Sequence, residues 1–168
     1  MSTSPDFSEW YSQNYGRVLS SVVLATGAAR PQAEDSVNDA FVTAYERWER
    51  VRSLESSVGW VTKVAINNAK RNFRIRNRRI REAHHREVPS VSDLAIDHDL
   101  WRSVQLLPRR QREALALRYV EDMSQAQVAD YLGIAEGTAK ASLNHARRNL
   151  KDLLKGRSDD EHRSTNVL

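Results

Sequence analysis

The sequence predicts an all-α protein: two small helical domains joined by a flexible linker, the C-terminal one containing a helix-turn-helix. Three observations carry this reading. Apolar residues recur at three- and four-residue steps through most of the chain, which is the period of one helix face. Strand-like alternation is scarce, and only six glycines are spread over 168 residues. Between Ser124 and Leu153, two short helical patterns meet at Leu132-Gly133-Ile134, as two helices joined by a tight turn do.

Each element follows in order. Phe7, Trp10, Tyr11, Val18, Leu19, Val22 and Val23 form the apolar face of a first helix that Gly27 ends. A second helix follows Pro31, with Ala33, Val37, Ala40, Phe41, Ala44, Tyr45 and Trp48 on its apolar face. Ser56 or Ser57 can cap a third, which buries Val61, Val64 and Ala65. Trp60 and Phe73 lie on the same helix, where an aromatic can serve the core or stack on an unpaired base. The composition shifts from Glu87 to Asp99, a stretch with four acidic residues and no Lys or Arg. Helical signals return at Leu100, Trp101, Val104 and Leu107, and Pro108 suits the first turn of the next helix, through Ala114, Leu115 and Tyr119. In the helix-turn-helix, Ser124 and Gln127 have capping-box spacing, and Val128, Ala129 and Leu132 form an apolar face. Gly133 supplies the left-handed stop, and Ala139, Leu143, Ala146, Leu150 and Leu153 line the second helix. The expected boundaries are a first domain at 1–86, an acidic linker at 87–99, a second domain at 100–155 and a polar, frayed tail at 156–168.

Composition narrows the function classes. The net charge is +4, the pI is about 9.6 and cysteine is absent, so disulfides and thiolate metal sites are excluded. A pI this high suits a polyanionic partner. No apolar run approaches the roughly 20 residues that cross a bilayer, and the first residues lack the apolar stretch of a signal peptide, so no membrane insertion and a cytoplasmic location are expected. Neither a phosphate-binding glycine loop nor a metal-ligand spacing is present, and adjacent His84 and His85 diverge on a helix. An enzyme is not expected, and neither is a cofactor.

The charged and polar clusters are more specific. Lys70, Arg71, Arg74, Arg76, Arg78, Arg79, Arg81 and Arg86 face only Glu82 within their run. A helix C-terminus accounts for two or three cations through its dipole; eight point to phosphates. Just upstream, Asn67 and Asn68 are adjacent, although Asn is a poor helix former. Lys140, Asn144, Arg148 and Lys151 occupy the polar face of the last helix, which has the dimensions to enter a major groove. Glu34, Asp35, Asp39, Glu46 and Glu49 make the second helix acidic, either as an ordinary solvated face or as a dock for a basic surface.

Three segments in order resemble the extracytoplasmic-function (ECF) sigma factors, the small two-domain initiation subunits of bacterial RNA polymerase. AEDSVNDAFVTAYERW at 33–48 is similar to the family's second conserved region, and GWVTKVAINNAKRNFRIRNRR at 59–79 resembles the adjoining promoter-melting segment. LPRRQREALALRYVEDMSQAQVADYLGIAEGTAKASLNHARRNL at 107–150 is similar to its fourth. The resemblance implies that Asp35, Asn38, Asp39, Phe41 and Tyr45 bind the clamp helices of the largest polymerase subunit. It implies that Trp60, Lys63, Asn67, Asn68, Lys70, Arg71 and Arg74 engage the minus-ten element and an unstacked base. Glu136, Gly137, Thr138, Lys140, Ala141, Asn144, His145 and Arg148 would read the minus-thirty-five duplex. The second domain would bind the flap of the second-largest subunit, the acidic linker would thread the polymerase cleft, and an anti-sigma factor is an expected partner. The chain departs from the family pattern at Ser142 and His145, where Arg is frequent, at Arg71, where an acid is frequent, and at Ala135, where Ser or Pro usually caps the helix. The alternative is a free-standing helix-turn-helix repressor or activator.

Overall fold

The computed structural model describes residues 5–80 and 98–164. The first lobe begins with α1 (Pro5–Thr26), which stops at Gly27. Gly27 adopts φ +68°, and its N–H donates to the Val23 carbonyl at 2.9 Å. A residue with a Cβ is strained in that left-handed conformation. α2 (Arg30–Glu46) carries Pro31 in its first turn. At Arg47 the backbone leaves helical geometry (φ −120°), so Trp48 opens a separate short helix, α3 (Trp48–Val51), rather than extending the face of α2. The break seats the Trp48 ring 5.0 Å from Phe7 and 4.8 Å from Trp10. α4 (Ser57–Ile80) is capped by Ser56, whose hydroxyl accepts the Gly59 N–H at 3.0 Å.

The second lobe contains α5 (His98–Leu106) and α6 (Arg109–Leu115), which runs into a π-helical turn at Ala116–Val120. It closes with α7 (Gln125–Leu132) and α8 (Glu136–Ser164). Two boundaries differ from those expected. His98 and Asp99, placed in the linker, begin α5. Residues 156–164, placed in a frayed tail, continue α8, since no proline interrupts its hydrogen-bond ladder. The rest of the linker, and the basic run from Arg81 to Arg86 with its two histidines, lie outside the described residues.

Val18, Val22, Val37, Ala40, Val61, Ala65 and Ile66 are fully buried and form the centre of the first core. Leu117, Val128, Leu143 and Ala146 form the centre of the second. The lobes do not stand apart. Trp101 and Ala116, from the second lobe, are buried in the first core, where α1 packs against α6, the π turn and α5. Cores this small leave apolar surface at their edges, and burying an aromatic such as Trp101 contributes on the order of 3 kcal/mol.

Candidate nucleic-acid interface

The outward face of α4 follows from its period. At about 100° per residue, Trp60, Lys63, Asn67, Lys70, Arg71 and Arg74 fall on one side and Asn68 roughly a quarter-turn away. The opposite side holds Val61, Ala65, Ile66 and Ala69 in the core. Lys63, Asn67, Arg71 and Arg74 are exposed, while Trp60, Asn68 and Lys70 are half-buried. Trp60 packs on the edge of the core, whereas Phe73 is 58% exposed and takes no part in it. Asn72 is structural: its amide donates to the Ser36 hydroxyl at 3.3 Å and ties α4 to α2.

The helix-turn-helix is built by its caps. The Gln127 N–H donates to Ser124 Oγ at 3.2 Å, and the Ser124 N–H donates to Gln127 Oε1 at 2.8 Å. Gly133, at φ +64°, then turns the chain into α8. Ala135 offers no side-chain cap, so the first N–H groups of α8 keep their capacity for an anion. Glu136, Gly137, Thr138, Lys140, Ala141, Asn144, His145 and Arg148 are all exposed. Asn144 accepts a hydrogen bond from Arg147 at 3.2 Å, which fixes its orientation, and Arg147 also donates to the Tyr119 hydroxyl.

On α2, Asp35, Asn38, Asp39 and Tyr45 are exposed on one face. Phe41 is not on that face. It is 3% exposed, with its ring 4.9 Å from Tyr11 and 5.4 Å from Trp10, so it holds the helix in place. Val42, 58% exposed among those polar residues, was missed by sequence reasoning. Its one signal is an apolar residue three and four positions from Asp39 and Asn38.

The structure also brings together two surfaces that the sequence left apart. Lys63, Asn67 and Lys70 form one wall of a cleft of about 260 Å³ whose other wall includes Tyr131, Thr138 and Ser142. Lys70 Nζ lies 2.6 Å from Glu113 Oε1, and Lys63 Nζ sits 5.3 Å from the centre of the Tyr131 ring. On the far side of the joint, the Ser21 hydroxyl donates to Glu121 Oε1 at 2.5 Å, with Arg17 3.5 Å from the other carboxylate oxygen. Burial pushes the Glu121 carboxyl up from its ordinary range, and the Ser21 hydroxyl and Arg17 offset part of that rise. Burial also raises the Tyr131 phenol, which stays neutral. No sequence pattern pointed to Glu121 or Tyr131, and Glu113 stood only as the last residue of the Leu107–Glu113 stretch within the family resemblance. A second, larger groove of about 900 Å³ is floored by Leu24, Leu100, Val104, Leu115 and Leu150, with Arg147, Lys151 and Lys155 also lining it.

Comparison with known proteins follows these two surfaces. Residues 11–79 match the family described as Sigma-70 region 2, and residues 97–150 match Sigma-70, region 4. The RNA polymerase sigma-E factor of Streptomyces avermitilis is 29% identical over 134 residues, covering 76% of this chain and 74% of that protein. The ECF RNA polymerase sigma-E factor of Haemophilus influenzae is 23% identical over 150 residues, with 79% of each chain covered. Among solved structures, the sigma factor RpoE from Bartonella quintana, co-crystallised with the anti-sigma factor NepR, superposes with a TM-score of 0.77. That match is 22% identical and covers 90% of this chain and 98% of the other, so the fold is shared across both lobes.

Proposed function

This chain belongs to the sigma-70 family, as an ECF sigma factor, and we propose how it divides the work of directing RNA polymerase to promoters between its two lobes. The observation that carries the division is the pairing, in one chain, of a basic Asn-bearing face on α4 with a helix-turn-helix ending in α8. α8 enters the major groove at the minus-thirty-five element. There Lys140, Asn144, His145 and Arg148 face bases and phosphates, and the uncapped start at Glu136-Gly137-Thr138 approaches the backbone. α4 engages the minus-ten element. Arg71 and Arg74 neutralise phosphates, and Trp60, Lys63, Asn67, Asn68 and Lys70 surround a base taken out of the stack. The chain supplies binding energy for opening the duplex, and nucleotide addition belongs to the polymerase.

Core polymerase docks through two faces. Asp35, Asn38, Asp39 and Tyr45, with Val42 at their centre, meet the clamp helices, while Phe41 supports that face from beneath. The groove floored by Leu24, Val104, Leu115 and Leu150 takes the apolar flap of the second-largest subunit. The domain limits at 86 and 100 and the passage of the acidic linker through the polymerase cleft are part of the same proposal. So are binding of an anti-sigma factor, the lack of any catalytic role and a cytoplasmic site of action. No described helix is long and apolar enough to cross a membrane. The free-standing regulator is not favoured, since it leaves the region 2 match and the basic face of α4 without a role.

The test is transcription by core polymerase on a promoter library, with and without the chain. Specific starts that depend on the chain support the proposal. Tight duplex binding by the chain alone, with no specific initiation from a competent core, would falsify it.

A further inference from the structure

We propose that the leucine-floored groove is a binding site for a single-chain anionic amphiphile, an alkyl chain with a carboxylate or phosphate head. Its volume of about 900 Å³ lies in the range of roughly 300–1,000 Å³ that small-molecule sites occupy. The apolar side of the site comes from both lobes: Leu24 on α1, Leu100 on α5, Leu115 on α6, and Leu150 with Leu154 on α8. A chain of methylenes suits such a floor because it carries no polar atom that needs a partner there.

The charge of the groove is as one-sided as its floor. Arg147, Lys151 and Lys155 line it at four-residue steps, so they share one face of α8, and the row spans roughly 12 Å. Among the described residues, no Asp or Glu lines the groove and no carboxylate pairs with Lys151 or Lys155. Arg147 is already engaged: it donates to the Tyr119 hydroxyl and to Asn144 Oδ1, the latter at 3.2 Å. The two lysines are therefore the cations left for a head group, and an ammonium accepts any anionic oxygen without the fixed fork of a guanidinium. A purely apolar occupant leaves this row unanswered, and a purely ionic one leaves the leucines unanswered. The π turn at Ala116–Val120 brings Tyr119 and Val120 to the groove; such turns are rare and concentrate at functional sites. The Tyr119 ring stands 5.5 Å from the Arg147 guanidinium, and this cation–π pair builds one wall. Docking of the polymerase flap, as proposed above, uses the same groove, so on that reading a bound amphiphile competes with core polymerase.

Isothermal titration calorimetry of the full chain with decanoate, below its micelle threshold, reads the site directly. Decanoate is expected to bind about tenfold more tightly than octanoate, the effect of two added methylenes. Decanol, which keeps the chain and lacks the charge, is expected to bind about tenfold more weakly than decanoate. Decyl phosphate presents the other head: tighter binding than decanoate assigns the site to phosphates, and weaker binding to carboxylates. K151E combined with K155E reverses the charge at two exposed positions and is expected to weaken decanoate about tenfold while decanol is unchanged. S20F sets a ring against the groove from α1, where Ser20 lines it, and is expected to weaken both ligands. The proposal is overturned if decanoate binds no more tightly than decanol or octanoate. It is overturned equally if both variants, folded by circular dichroism, bind decanoate like the parent. A parent chain that runs as a dimer in size exclusion while S20F runs as a monomer identifies a second copy as the occupant and overturns it too. Core polymerase is then titrated with the chain, with and without decanoate. Weakened core binding supports the competition; unchanged core binding beside intact decanoate binding removes the flap from this groove and leaves the ligand site standing.

Discussion

Glu121 shows at the scale of one residue how burial sets behaviour. Its carboxyl is raised because burial disfavours the charged form more than the Ser21 hydroxyl and Arg17 favour it. A raised carboxyl contributes stability that is fully present below its ordinary value of 4.5 and is lost as the pH rises through the higher folded value. The groups around it do not reverse that sign. Arg17 lies beside the carboxylate, the Tyr131 phenol stays neutral, and Glu113 is engaged by Lys70. Acidification from neutral pH is therefore expected to tighten the contact between the lobes, as read from the distance between spin labels at E55C and D152C, two exposed positions in this cysteine-free chain, and E121Q is expected to flatten that dependence. An unchanged slope in E121Q would assign the effect to another group. The capping box at Ser124 and Gln127, by contrast, was plain from spacing alone, because both partners lie within one turn. S124A is expected to cost about 1 kcal/mol, a fall of roughly 2–4 °C in the thermal midpoint of a chain this long.

At the scale of elements, the helices were legible wherever a core selects their apolar period, as in α1, α4 and α8. The break at Arg47 was not, because the apolar positions of α2 and α3 keep a nearly continuous spacing across it. The π turn at Ala116–Val120 left no mark in the pattern either. The exposure of Phe73 escaped for a related reason: its spacing fits a core face, but the bundle does not cover it. On α4, exposure separates the two asparagines. Asn67 lines the cleft, whereas Asn68 is half-buried to one side. N67A is expected to slow open-complex formation about tenfold, equivalent to about 1.4 kcal/mol, and more than N68A does, with affinity for core polymerase unchanged. Permanganate footprinting and a core-binding titration check this; equal loss of core affinity would place Asn67 in docking. On α2, D35K with D39K is expected to do the opposite, weakening core binding about tenfold while the chain's own duplex binding does not fall. The same titration decides it.

At the scale of the whole molecule, the two lobes and their order could be read from the sequence, but their packing against each other could not. The joint depends on pairs such as Lys70 with Glu113, 43 residues apart, and Ser21 with Glu121, 100 residues apart. No local period encodes such a pair, and a short polar side chain on a helix face looks alike whether it meets solvent or another lobe. The packed arrangement also explains why Lys70, within the basic stripe on α4, is only half-exposed: it is paired with Glu113 of the other lobe. Both lobes nevertheless serve one task, and that task is measurable directly. Core polymerase is mixed with a promoter library, with and without the chain, and the transcript ends are sequenced. Starts that appear only with the chain, share motifs at minus-ten and minus-thirty-five and are lost with N67A are the expected result. The same starts with core alone, or none with the chain under conditions where another sigma factor initiates, would contradict it.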